Sequence, residues 1–244
     1  MTGGRPFFRP LAQLIWILLM LVVATVSAFV AAPFLGGPRA FWVMARQYAL
    51  HIARVWGVRH RMTGWEALPE DLREGRVPAI YIANHVSNLD PVILACHLPC
   101  RPAFLAKLEV AFVPVLGWAI WLSGSIFIDR RNRERAIRSM DRAAARIRGG
   151  LNLVAFPEGT RSRTGTLVTP FKKGVFNVAM QAGVPIVPMG ITGTFAALAP
   201  GGWRVTPGPT EMRVGQPLYP AQYADADALR EAAEAAMAQL IAET

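Results

Sequence analysis

From Leu11 to Ala32 the chain runs 22 positions without a charged side chain, mostly Leu, Ile, Val, Ala, Trp, Met and Phe. A helix crossing hydrocarbon needs about 20 apolar residues, and inside lipid only a helix or a closed barrel satisfies every backbone N–H and C=O. The segment is therefore a helix destined for a bilayer, or it is removed. Removal has some support: Arg5 and Arg9 form a basic leader, and Val26-Ser27-Ala28 has the small residues of a cleavage site. Against it, the apolar region of a secretory signal spans about 7–15 residues, and this run continues through Phe29 and Val30. A third arrangement is a hairpin. Pro33-Phe34-Leu35-Gly36-Gly37-Pro38 is a strong turn signal, and Phe41, Met44, Tyr48, Ile52 and Trp56 then recur on one helical face. Two membrane-associated helices joined by a turn fit these residues best: an apolar helix over 11–32 and an amphipathic helix over 40–57, forming an anchoring unit of residues 1–59.

The net charge of +10 is unevenly spread, because Arg39, Arg46, Arg54, Arg59 and Arg61 meet no acid before Glu66. Basic residues beside an apolar helix favour the anionic cytoplasmic leaflet. Positive charge lies on both sides of the apolar run, so the charge rule does not choose spanning over re-entrant, although a hairpin keeps both flanks on one side. Nucleic acid is the other partner a chain this basic suggests. The aromatics sit in apolar runs rather than among the arginines, and no recognition motif is present, so no nucleic-acid partner is expected. Cys96 and Cys100, with His97 between them, fall short of a zinc site without a second cluster. No metal is expected, and idle thiols fit a reducing compartment.

Past residue 60 the pattern alternates between strand-like and helix-like, and 60–244 reads as one α/β domain, a mixed β-sheet flanked by helices. Strand-like runs occur at Pro78–Ala83, Ser125–Ile128, Leu151–Phe156 and Pro185–Met189, with Glu211–Val214 weaker. Helices are expected over Arg133–Arg148, Phe171–Ala182 (ended by Gly183) and Asp225–Ala242. In the first, Arg135, Arg138, Arg142 and Arg146 form a basic stripe that reads as a solvated face. Val110–Leu122 is apolar but interrupted by Pro114 and Gly117; too short to span a bilayer, it suits the lining of a groove or a membrane surface.

The chemistry-bearing stretch is Asn84-His85-Val86-Ser87-Asn88-Leu89-Asp90, directly after a buried-strand pattern. A carboxylate bonded to one ring nitrogen of an imidazole fixes its tautomer and raises the basicity of the other nitrogen. Taken alone, the pair reads equally well as a base and its orienting group or as a structural pair. Phe156-Pro157-Glu158-Gly159-Thr160-Arg161-Ser162 follows another strand. Gly159 permits positive φ or close approach of a ligand, Glu158 can hold a cation or hydroxyl, and Arg161 offers a fork suited to phosphate. Arg130 ends the strand Ile126–Ile128, and if it converges with Arg161 the two clamp one phosphate. Separately, each arginine reads as an ion pair, with Asp129 or Glu158. Lys107 reads as a helix-surface lysine near Glu109 or as a further phosphate contact.

In order and spacing these segments resemble the membrane 1-acylglycerol-3-phosphate acyltransferases of the glycerolipid acyltransferase superfamily. His85 to Asp90 is similar to their His-x-x-x-x-Asp signature, Gly124 to Arg130 to the second motif, Phe156 to Ser162 to the third, and Val184 to Met189 to the proline-containing fourth. The resemblance covers about residues 60–215. It implies an acyltransferase fold and an acyl-coenzyme A or acyl carrier protein co-substrate, with no other cofactor. In it, His85 deprotonates the hydroxyl of lysophosphatidic acid, with Asp90 orienting it. Arg130, Glu158, Gly159, Thr160 and Arg161 hold the glycerol phosphate, with Asn84 and Lys107 as further contacts. It also implies phosphatidic acid as product, a phospholipid membrane as partner, and the cytoplasmic face of a bacterial inner membrane as location. Backbone amides near His85 are expected as oxyanion donors. The fourth motif has no acid–base side chain and reads as a core strand.

Overall fold

In the computed structural model, which describes residues 8–129, 131–202 and 204–242, the apolar run forms helix α1 (Phe8–Leu35). The chain turns at the single residue Gly36 (φ +78°) and returns as α2 (Gly37–Val55), with Pro38 in its first turn. Trp16 Nε1 donates to His51 Nε2 (3.2 Å) and the Tyr48 hydroxyl to the Ile17 carbonyl (3.4 Å), so the helices lie alongside one another. The expected helical hairpin is present.

The elements that follow are β1 (Val58–Thr63), α3 (Glu70–Arg73), β2 (Ile80–Ala83), α4 (Asp90–His97), β3 (Ala103–Lys107), α5 (Leu116–Leu122), β4 (Ile126–Ile128) and α6 (Arg133–Arg148). Then come β5 (Leu153–Ala155), α7 (Gly174–Ala182), β6 (Ile186–Thr192), α8 (Thr194–Ala197), β7 (Gly208–Val214) and α9 (Ala226–Ala242). Local chemistry sets several ends. The Asn132 side chain accepts from Arg135 N to cap α6, Asp225 Oδ1 accepts from Asp227 N and Ala228 N before α9, and Gly183 closes α7 in the left-handed region at φ +69°.

Among the described residues the strands form one sheet, ordered β1-β7-β6-β2-β5-β3-β4. Every pairing is parallel except β6 with β7. The mixed sheet flanked by helices matches the sequence expectation, and the strands' period of two builds two cores. Tyr81, Ala83, Val154, Val187 and Met189 face a layer containing α2 and α4; Ile80, Ile82, Leu153, Ala155 and Ile186 face α6, α7 and α9.

Five expectations change. Helix 40–57 is not a surface appendage, because Trp42, Ala49, Ile52, Ala53 and Trp56 are buried in the core shared with the sheet. Each large apolar side chain so buried stabilises by about 2–3 kcal/mol, so freeing Trp42, Ile52 and Trp56 would cost roughly 6–9 kcal/mol. The expected boundary at residue 59 is accordingly no boundary in the packing, and β1 already begins at Val58. The apolar stripe expected there is split, with Phe41, Met44 and Tyr48 turned toward a cavity beneath α1. Lys107 ends a strand rather than lying on a helix: Ala103–Lys107 pairs with both β4 and β5, and so short a run carries no period of its own. β1, absent from the expected strands, hides its alternation of Val58, His60 and Met62 behind two intervening arginines.

Candidate active site

Strands β2, β5, β3 and β4 run parallel, so their C-terminal ends meet at one edge of the sheet, where crevices form in α/β folds. That edge releases the His85 loop, the Glu158–Arg161 turn, Lys107 and Asp129 side by side. Arg130 lies outside the described residues.

Asp90, fully buried, is the first residue of α4. Its Oδ2 accepts from His85 Nδ1 (2.8 Å), Val86 N (2.8 Å) and Ser87 N (2.7 Å), and its Oδ1 accepts from the Thr194 hydroxyl (2.6 Å). A carboxylate only accepts, so Nδ1 of His85 carries the hydrogen and Nε2 keeps its lone pair. The tight loop is what places a carboxylate five residues on against its own preceding imidazole. Phe156 stacks on that ring, with centroids 4.1 Å apart and planes at 18°.

The His85 backbone is held from both sides: its N–H donates to Glu158 Oε1 (2.9 Å) and its carbonyl accepts from Ser162 N (2.8 Å). Glu158 is itself 1% exposed. Burial pushes its carboxyl up from 4.5 to about 7; the His85 N–H opposes this and the nearby Asp90 charge adds to it. The Val168 backbone also lowers it, and Oε2 makes no hydrogen bond of normal geometry. Glu158 thus braces the loop from beneath, where a phosphate cannot reach it. Asn84 is likewise spent on structure, since its side chain both donates to the Ile191 carbonyl (2.9 Å) and accepts from Ile191 N (2.7 Å), tying the end of β2 to β6.

The oxyanion expectation also needs correction. The backbone amides of His85, Val86 and Ser87 are committed to Glu158 and Asp90, so none is free to meet a developing oxyanion. Thr194 enters the site without a signal in the sequence, and Phe156, though within the third motif, stacks on His85 with no such signal. Thr194 lies 104 residues from the carboxylate it donates to, and the turn preceding it is forced at Gly193 (φ +80°), where a Cβ would sit 2.2 Å from the Pro209 carbonyl.

His85 opens onto a cavity of about 900 Å³. Asn88, Gly159, Thr160, Arg161 and Lys107 share its polar end, where Arg161 Nη1 donates to the Asn88 side chain and Lys107 pairs with Glu109 (3.2 Å). The remainder is largely apolar, walled by α1, α2, α4, β3 and α5; it includes Tyr48 and the Thr25 hydroxyl, the latter without a hydrogen-bond partner. The space joins a base, an exposed guanidinium and a long apolar channel, which suits proton abstraction from an amphiphile with an anionic head. Among the described residues, no three His, Cys, Asp or Glu side chains cluster as a metal site.

A sequence model of a family described as Acyltransferase matches residues 59–192. The chain is similar to the 1-acyl-sn-glycerol-3-phosphate acyltransferase of Limnanthes douglasii, 44% identical over 141 residues, covering 57% of this chain and 50% of that one. It is also similar to the enzyme of the same name from Haemophilus influenzae, 35% identical over 179 residues, covering 72% and 70%. It spans about half the length of several curated relatives it matches. Among solved structures, the 1-acyl-sn-glycerophosphate (LPA) acyltransferase PlsC of Thermotoga maritima superposes with a TM-score of 0.82 over 97% of this chain and 96% of that one, at 23% identity, a likeness of fold. The matched segment contains the His85–Asp90 pair and the Glu158–Arg161 turn that braces it, and by that match the chain belongs to the Acyltransferase family.

Proposed function

We propose that this protein is a membrane acyltransferase that moves a fatty acyl group from acyl-coenzyme A or acyl carrier protein to the free hydroxyl of 1-acylglycerol 3-phosphate, making phosphatidic acid. The observation that carries the reading is the His85–Asp90 pair at the mouth of an apolar cavity with Arg161 at its polar end. The names of the relatives agree with it.

In this reading His85 Nε2 takes the proton of the acceptor hydroxyl as its oxygen attacks the thioester carbonyl. The imidazolium so formed is stabilised by the Asp90 carboxylate. Collapse of the tetrahedral intermediate breaks the carbon–sulfur bond, and the departing thiolate takes the proton from Nε2, so His85 ends as it began. No acyl-enzyme is needed. Arg161 holds the phosphate with Arg130, Thr160 and Lys107, while Gly159 lets the backbone come close. The acyl chain occupies the apolar cavity.

The membrane side of the reading rests on α1, whose Ile15–Leu35 stretch is long and apolar enough to cross a bilayer and mostly exposed. Because α1 lies along α2, spanning would draw Arg39, Arg46 and Arg54 toward hydrocarbon, which favours entry into one leaflet, the cytoplasmic one of a bacterial inner membrane. The test is turnover of lysophosphatidic acid by wild type and His85→Ala with each donor. The variant is expected to remain folded and membrane-bound with no measurable transfer, and full turnover in it would sink the mechanism. Running glycerol 3-phosphate and a lyso-aminolipid as acceptors beside it identifies the acceptor.

A further inference from the structure

Between Glu109 and Asp129 lies an uncharged stretch, Val110 to Ile128, whose apolar side chains divide between two faces. On the inner face Val110, Leu116, Ala119 and Ile120 line the cavity that His85 opens onto. On the outer face Phe112 is 77% exposed, Val113 44%, Trp118 58% and Trp121 66%. Large aromatics so fully presented to water are unusual for a helix whose other side is tightly packed.

The packing fixes that presentation. A Cβ at Gly117 would lie 2.2 Å from the Ala111 carbonyl, so only glycine lets α5 press against the turn Leu108–Phe112. Val115, at the start of α5, is held at φ +66°, a region a β-branched residue rarely occupies. The far end of α5 abuts the helical hairpin: a Cβ on Gly37 would meet Leu122 at 3.1 Å. Phe34 and Leu35, just before Gly37 in the chain, are exposed, and α1 packs against α5. Arg39 is exposed on the adjoining turn of α2, and Arg146 Nη2 lies 3.2 Å from where a Cβ on Gly124 would sit, so cations border the aromatic ridge. Tryptophan beside arginine, next to an apolar helix, is the arrangement found at a membrane interface.

We propose that the outer face of Leu108–Leu122 is a second membrane-contacting element, with Phe112, Val113, Trp118 and Trp121 seated in the interfacial layer of the leaflet that takes α1. The occupant is a lipid surface, argued from the packing of α5 against the exposed apolar helix α1 and from its arginine border. Its inner face walls the cavity, so docking holds the cavity mouth at the depth where a lysolipid head group lies. That purpose rests on the lipid-substrate reading above, but the contact itself is measured without turnover.

The experiment uses the full chain carrying Trp118→Cys, labelled with an environment-sensitive nitrobenzoxadiazole and placed in nanodiscs of phosphatidylethanolamine and phosphatidylglycerol. Cys96 and Cys100, whose thiols burial pushes up to about 12, stay largely unlabelled. Ile137→Cys, on α6 and 51% exposed, is the comparison site. Blue-shifted emission at 118, quenched at least about threefold more than at 137 by lipids spin-labelled near the glycerol, is expected for an interfacial side chain. Equal, water-like emission at the two sites overturns the proposal, as does a blue shift that lipid labels do not quench, which would mean a second copy of the chain covers the ridge. Trp118→Ser/Trp121→Ser supplies an independent readout: turnover of bilayer-embedded lysolipid falls while that of a short-chain, water-soluble acceptor holds. Equal losses on both overturn the docking role, whereas loss of all transfer in the wild type would instead sink the acyltransferase reading.

Discussion

Replacing Asp90 with asparagine separates the charge of the dyad from its geometry. In many sites such an amide turns its NH2 toward the imidazole, imposes the wrong tautomer, and costs about 10⁴-fold in rate. Here the Val86 and Ser87 amides both point at the same oxygen that receives His85 Nδ1. Turning an NH2 toward three donors would bury unmet polar groups at about 1–3 kcal/mol each. The asparagine oxygen therefore replaces Oδ2, its NH2 faces Thr194, and the Thr194 hydroxyl rotates from donor to acceptor. The tautomer of His85 survives and only the charge is lost. A carboxylate near 4 Å from the imidazolium is worth about 4 kcal/mol at an effective dielectric of 20, and the amide dipole restores part of that. The expected fall in kcat is roughly 10²–10³-fold, with both KM values near wild type and an unchanged Tm. Steady-state transfer to lysophosphatidic acid measures the rate, and thermal unfolding checks the fold. Activity within twofold of wild type would refute the electrostatic role of Asp90, and a loss as complete as that of His85→Ala would refute the tautomer lock.

Thr194→Val removes the hydroxyl that meets Asp90 Oδ1 and should lower kcat about tenfold while leaving both KM values alone, with Thr194→Ser restoring it; a KM effect on either substrate would argue against a positioning role. Arg161→Ala should raise the acceptor's KM by about 10–100-fold, the worth of a charged hydrogen-bond pair, and leave the donor's unchanged; equal effects would take Arg161 out of the phosphate site. Glu158 has a folded value of about 7 against 4.5 unfolded, so the folded protein holds this proton more tightly and loses stability as pH climbs through that window. Glu158→Gln keeps an acceptor for the His85 N–H and removes this slope, so its Tm should fall less than that of wild type between pH 5 and pH 8. Parallel Tm profiles would show that Glu158 titrates normally.

Much of the site was readable because its pieces are local. His85 and Asp90 are five residues apart, and the Glu158–Arg161 turn follows a strand pattern, so spacing and strand ends announced both. The roles of neighbouring residues were less readable. Glu158 and Asn84 carry polar groups in the right segments, yet burial turns both inward to brace the loop, and burial is not written in residue type. The boundary at residue 59 failed for a related reason: α2 has the composition of a surface helix, but a mixed sheet with a bare face had to be covered by something, and Trp42, Ile52 and Trp56 cover it.

By itself the sequence determined what depends on neighbours along the chain: an apolar helix too long for a small core, a hairpin at Gly36, strands buried on both faces, and an imidazole beside a carboxylate. The tertiary structure decided what depends on residues far apart in sequence. Strand order brought the ends of β2, β5, β3 and β4 to one edge, Gly193 set Thr194 against a carboxylate 104 positions away, and the docking of α1 and α5 enclosed the cavity. Such contacts gain their energy from shape and burial between elements, and no local pattern encodes which surfaces will meet.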